Sequence, residues 1–72
     1  MKVAAYAKTF GNNIRRQRVE RKLTQERLAE ICDLCLRYVQ ELEGGVKTPS
    51  LETLLRLRKA LKCEWDNLLA KL

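Results

Sequence analysis

Three observations predict an all-α fold of five helices. Leucine dominates the apolar residues and recurs at helical steps, and no run alternates Val, Ile and Thr as a strand would. One proline and three glycines leave little material for β-turns. Thr24 and Ser50 stand as helix caps directly before apolar periodic runs. At 72 residues and 46% apolar, the chain is expected to form one small domain over 1–72, near the lower size for a core without staples.

The first helix is expected from about Lys8 or Thr9 to Arg21, with Phe10, Ile14 and Val19 inward and arginines outward. Tyr6 and Val3 continue the spacing backward, so an earlier start is open, although Gly11 weakens that version by roughly 1 kcal/mol. The second helix spans Gln25 to Cys32 and buries Leu28, Ala29 and Cys32; Asp33 and Leu34 then turn the chain, Asp33 being tolerant of a left-handed backbone. The third spans Leu36 to Glu43 with Val39 and Leu42 inward, and Gly44-Gly45 ends it. Ser50 caps the fourth, Leu51 to about Leu61, with a stripe of Leu51, Leu54, Leu55 and Leu61. The fifth runs from Trp65 to about Leu72, with Trp65, Leu68, Leu69 and Leu72 apolar. Two short helices joined by a tight turn beside a basic flank are the layout of a helix-turn-helix DNA reader.

The net charge of +6 is placed unevenly. Residues 1–27, including Lys2, hold eight basic groups against Glu20 and Glu26, whereas residues 28–72 hold seven of each sign. A one-sided basic end favours a polyanion, because each neutralised phosphate releases counterions. No stretch approaches a membrane span and no signal-peptide core is present, so a cytoplasmic protein without a membrane role is expected.

Cys32-x-x-Cys35 has the spacing of half a zinc site or of a redox pair. With Cys63 a structural zinc site would still need a fourth ligand; the chain has no histidine and no second such pair, and Asp33 or Glu64 could complete it only awkwardly. Cys32 and Cys63 instead fall where small apolar residues pack. No cofactor and no small-molecule ligand is implied. Enzyme chemistry is not expected either: the chain has no histidine, no nucleophile–base constellation and no phosphate-cradling glycine loop.

Four segments, Phe10-Gly11-x-x-Ile14-Arg15-x-x-Arg18, Leu23-Thr24-Gln25-Glu26-x-Leu28-Ala29, Tyr38-Val39-Gln40-x-Leu42-Glu43-x-Gly45 and Pro49-Ser50-Leu51-x-x-Leu54, resemble the Cro/C1-type helix-turn-helix family. That family includes phage repressors, restriction–modification controllers and other small bacterial regulators. The likeness covers about residues 9–70 in the right order and spacing. It implies a lambda-repressor-like domain that binds double-stranded DNA, usually as a dimer on a palindromic operator. By position, it makes Gln25 a phosphate contact at the start of the second helix, and pairs Arg18 with Glu43 in a structural salt bridge. The sequence departs from the family at Asp33, where glycine is common, at Cys35, where serine is common, and at Gln17, where an apolar residue is frequent. Arg58 stands where alanine is preferred, so it must snorkel or meet a carboxylate such as Glu52 or Asp66.

With Val39 and Leu42 inward, the third helix offers Leu36, Arg37, Gln40 and Glu41 to base edges. Arginine can bind guanine bidentately, glutamine can pair with adenine, glutamate can accept from cytosine, and leucine can pack on a thymine methyl. Arg15, Tyr38, Lys47 and Thr48 join Gln25 as expected phosphate contacts, which position the protein without reading sequence. Trp65 is expected to plug the core, leaving Leu68, Leu69 and Leu72 for a homodimer interface. The alternative is an antitoxin-like or other protein-interaction module on the same fold.

Overall fold

The structure is a computed structural model describing residues 3–72, with side chains from residue 5 onward. The charge of Lys2 and the inward placement expected of Val3 lie outside the described residues and side chains. The helices are α1 (Val3–Glu20), α2 (Gln25–Cys32), α3 (Leu36–Glu43), α4 (Leu51–Leu61) and α5 (Trp65–Leu68), with no strand among the described residues. α1 packs on α3, α4 and α5, and α2 packs on α3 and α4. The core between them is formed by Phe10, Ile14, Leu28, Val39, Leu42, Leu57, Leu61 and Leu68, sealed by Ala29, Cys32 and Cys63.

α1 starts earlier than Lys8, and Gly11 is no weak point. Its Cα lies so close to α3 that a Cβ would sit 2.6 Å from the Glu43 carbonyl oxygen and nearer still to that of Leu42. The glycine lets the two helices cross backbone to backbone, which outweighs its poor helix propensity. Val19 is exposed, because the inward face of α1 runs through Ala7, Phe10, Ile14 and Gln17 and position 19 falls off it. Gln17 is buried with its Oε1 accepting from Arg21 Nη1 at 2.7 Å.

The caps follow the sequence closely. The Thr24 hydroxyl accepts from the Arg27 amide at 3.0 Å, and that of Ser50 accepts from the Thr53 amide at 3.2 Å. Cys35 occupies the cap position of α3 but makes no side-chain capping bond. α1, α2, α3 and α4 are each followed by a left-handed residue, respectively Lys22, Asp33, Gly45 and Lys62. Only Gly45 is free of a Cβ there, and one would meet the Lys8 backbone at 2.9 Å. The Val46 amide donates back to the Glu41 carbonyl at 2.9 Å and the Gly45 amide to that of Leu42 at 3.2 Å, closing the end of α3.

Two expectations for the C-terminal half are corrected. α4 carries leucines on both sides, and its buried face is Thr53, Leu57 and Leu61 with Leu54 at its edge. Leu51 and Leu55 are 71% and 52% exposed, about two residues, and thus roughly half a turn, away from that face. α5 is also short, ending at Leu68, where Leu68 is fully buried rather than available to a partner. Asn13 Nδ2 accounts for that ending. It donates to the carbonyls of Leu68 and Ala70, both at 2.9 Å, and so holds the end of the chain against α1.

Arg58 meets neither Glu52 nor Asp66. Glu52 is taken by Arg56 Nη2 at 2.7 Å, and the Arg58 guanidinium lies 5.1 Å from the centre of the Trp65 ring. Its Nε is buried without a hydrogen-bond partner.

Candidate nucleic-acid interface

The position of α3 is fixed by a buried carboxylate at its last residue. Glu43 is buried although charged, and its two oxygens are answered by donors from α1 and α2. Arg18 donates through Nε to Oε2 at 2.6 Å and through Nη2 to Oε1 at 3.0 Å, a bidentate arrangement. The remaining Arg18 nitrogen, Nη1, donates to the Leu23 carbonyl at 2.8 Å and so also holds the loop leading into α2. Gln25 Nε2 and Arg15 Nε add bonds to Oε1 at 3.1 and 3.4 Å. Three helices therefore meet on one side chain, and two of the five residues expected at phosphates, Gln25 and Arg15, are drawn together at its rim.

The outer face of α3 is polar and open. Arg37 is 86% exposed at its side chain and Gln40 is exposed, while Val39 and Leu42 are in the core. Leu36 and Tyr38 are half-buried, and Tyr38 packs against the core cluster. Glu41 is more engaged than the sequence indicated. Lys47 Nζ approaches it at 3.3 Å and Arg37 Nε at 3.6 Å, so the carboxylate links the helix to the loop that follows. Lys47 and Thr48 are exposed on that loop, and Thr48 also borders a small apolar pocket of about 170 Å³ with Tyr6, Leu54, Leu69 and Leu72.

Asn13 and Arg56 were not singled out from the sequence. A polar residue beside Phe10 and Ile14 on the inward stripe signals a buried side chain in need of partners, and Asn13 has them in the carbonyls of Leu68, at the end of α5, and of Ala70 beyond it. Arg56 Nη1 donates to the Cys32 and Asp33 carbonyls at 3.2 and 3.4 Å and satisfies the exit of α2. All three cysteines are free thiols, and among the described residues no three His, Cys, Asp or Glu side chains gather as a metal site. Burial pushes the Cys32 and Cys63 thiols up, with nearby arginines opposing it more weakly.

Comparison with known proteins agrees with this architecture. A family profile described as helix-turn-helix matches residues 14–68. The chain is 34% identical over 61 residues to the control protein C.BamHI of Bacillus amyloliquefaciens, spanning 83% of this chain and 75% of that one. Its fold is similar to the crystal structure of the restriction–modification controller protein C.AhdI from Aeromonas hydrophila. The TM-score is 0.84 at 36% identity, over 89% of this chain and 97% of the other. With two short helices, the first capped by Thr24, a left-handed turn at Asp33 and a polar face on the second helix, the chain belongs to the Cro/C1-type helix-turn-helix family of DNA-binding regulators.

Proposed function

We propose that this protein is a controller-type transcriptional regulator that binds a palindromic operator in double-stranded DNA as a homodimer, with α3 in the major groove. The observation that carries the reading is the outer face of α3. Arg37, 86% exposed and only loosely paired with Glu41, and Gln40 face solvent on a helix whose inner face and last residue are locked into the core. Arg37 and Gln40 are the main base readers, with Leu36 and Glu41 at the margins of the same face. Gln25, Arg15, Tyr38, Lys47 and Thr48 supply the phosphate contacts that set the register. The restriction–modification controller type is favoured by the similarity to the two control proteins over most of their length.

Dimerisation is assigned to the apolar surface that α4 and the C-terminus leave in solvent. Leu51, Leu55, Leu69 and Leu72 are all large, apolar and exposed. Leu68, a core residue, drops out of that surface. A twofold pair places two reading helices in successive major grooves about 34 Å apart.

Selection of bound sequences from a random duplex library tests the whole reading. An enriched inverted repeat is expected, and Arg37→Ala should then cost about 1–3 kcal/mol on the selected site with a smaller loss on random DNA. Equal losses on both would reduce Arg37 to a phosphate contact. Binding without salt dependence would end the nucleic-acid reading.

A further inference from the structure

A second surface lies apart from the outer face of α3. Between α2 and α4, closed at one end by the close of α1, runs a cleft of about 870 Å³. Its floor is apolar, made by Leu23, Ala60 and Ile31, and Ile31 is 43% exposed in the last turn of a helix that otherwise buries its leucine and alanine. Five cations rim it: Arg21, Arg27, Arg56, Lys59 and Lys62, against one lining carboxylate, Asp33. Arg27 and Arg56 share their charge with Glu30 and Glu52, but among the described residues neither Lys59 nor Lys62 has an ion-pair partner. No residue of α3, of the α3–α4 loop or of the apolar dimer surface contributes to the lining.

We propose that this cleft docks an acidic amphipathic helix of a second protein, and that it can do so while α3 engages DNA. An apolar floor bordered by cations on both sides is complementary to a helix with an apolar stripe flanked by Asp and Glu. A bare phosphate backbone would use the cations and leave Ile31 and Ala60 without a partner. A small anion would leave the floor open in the same way, since Arg27, Lys59, Lys62 and Ile31 are exposed along its length. The two lysines without acidic partners supply the charge that no intramolecular contact uses.

The test is a nitrogen-15 amide titration of the full chain with a synthetic helical peptide bearing leucines at four-residue steps and glutamates on both flanks. A peptide of the same composition with the stripe scrambled, and a random-sequence DNA duplex, serve as the comparison probes. Shift changes are expected at Leu23, Arg27, Ile31, Lys59 and Ala60, with little change on α3. The Lys59→Glu/Lys62→Glu pair and, separately, Ile31→Ser should each weaken the ordered peptide by about tenfold. Neither should change binding of the duplex more than about twofold, which separates this surface from the DNA reading. Equal affinity for the scrambled peptide, or none of the loss with Ile31→Ser, would reduce the patch to undirected charge attraction and overturn the proposal. So would a tenfold loss of duplex binding in the lysine variant, which would assign the cleft to phosphates. Ile31→Ser, at a half-exposed position, keeps the test decisive if the charge reversal unfolds the chain.

Discussion

Replacing Glu43 with glutamine would keep the shape of the side chain and remove the charge on which α1, α2 and α3 converge. In the parent, Arg18 makes two bonds to the carboxylate at 2.6 and 3.0 Å, and a hydrogen bond to a charged group contributes about 1.5–3 kcal/mol. The glutamine carbonyl can keep one of them. Its amide turns donors toward a guanidinium that is itself only a donor, so the second bond is lost. Arg18 retains the Leu23 carbonyl at 2.8 Å and is 14% exposed, which lowers the cost below the roughly 3–5 kcal/mol of breaking a fully buried pair. A loss of about 2–3 kcal/mol remains, which for a domain of this size lowers Tm by roughly 10–20 °C. Thermal and urea melts followed by far-ultraviolet circular dichroism would measure it. Arg15→Ala is the internal control, because its contact is 3.4 Å long and its side chain 55% exposed, and it should change stability by no more than about 0.5 kcal/mol. A Glu43→Gln protein that melts within a few degrees of the parent would refute the view that this carboxylate holds the helices in register.

Asn13→Ala should destabilise by about 1–3 kcal/mol, since it strands two carbonyls, and hydrogen exchange should show α5 losing protection before α1. Asp33→Gly should stabilise by about 0.5–1 kcal/mol in the same melts, because a Cβ is carried in the left-handed region at φ 56; a lower Tm would mean that the aspartate has a role beyond the turn. A thiol reagent near pH 8 should modify Cys35 at once and reach Cys32 and Cys63 only on unfolding; three equal rates would contradict the burial of the other two. Because burial raises both of those thiols, the native chain keeps protons that the unfolded chain releases. Stability should therefore fall as pH rises past the ordinary thiol value of 9.0, and the fall should be smaller in Cys63→Ala.

The helices were legible wherever a cap and a clean period coincided. Thr24, Asp33, Gly45 and Ser50 mark ends that local chemistry alone decides, and the bounds of α2 and α3 follow from them. α4 was misaligned because Leu51, Leu54, Leu55, Leu57 and Leu61 populate two faces, and residue type cannot choose between faces that are both apolar. Packing chose Leu57, in the core, and left Leu51 and Leu55 outside. The extent of α5 was overestimated for a different reason: its stop is set by a side chain 55 residues away in sequence, which no local pattern records. The exposed face of α3 could be drawn from period alone. The convergence of Gln25 and Arg15 on Glu43 could not, since it depends on how three helices are brought together.

Gly11 has a consequence for how such a protein changes its target. The seat of α3 is main chain against main chain at Gly11, completed by the inward side chains of Val39, Leu42 and Glu43, and it makes no use of what the exposed Arg37 and Gln40 carry. Address and mounting are thus separate properties of the same eight-residue helix. Under the proposed function, exchanges at the exposed positions 37 and 40 would rewrite the address one residue at a time without a compensating change in the core, whereas a single added methyl at position 11 would shift the mounting for every address at once. Divergence among small regulators built this way should accumulate at the outward positions of the reading helix, with the inner crossing left as a shared standard part.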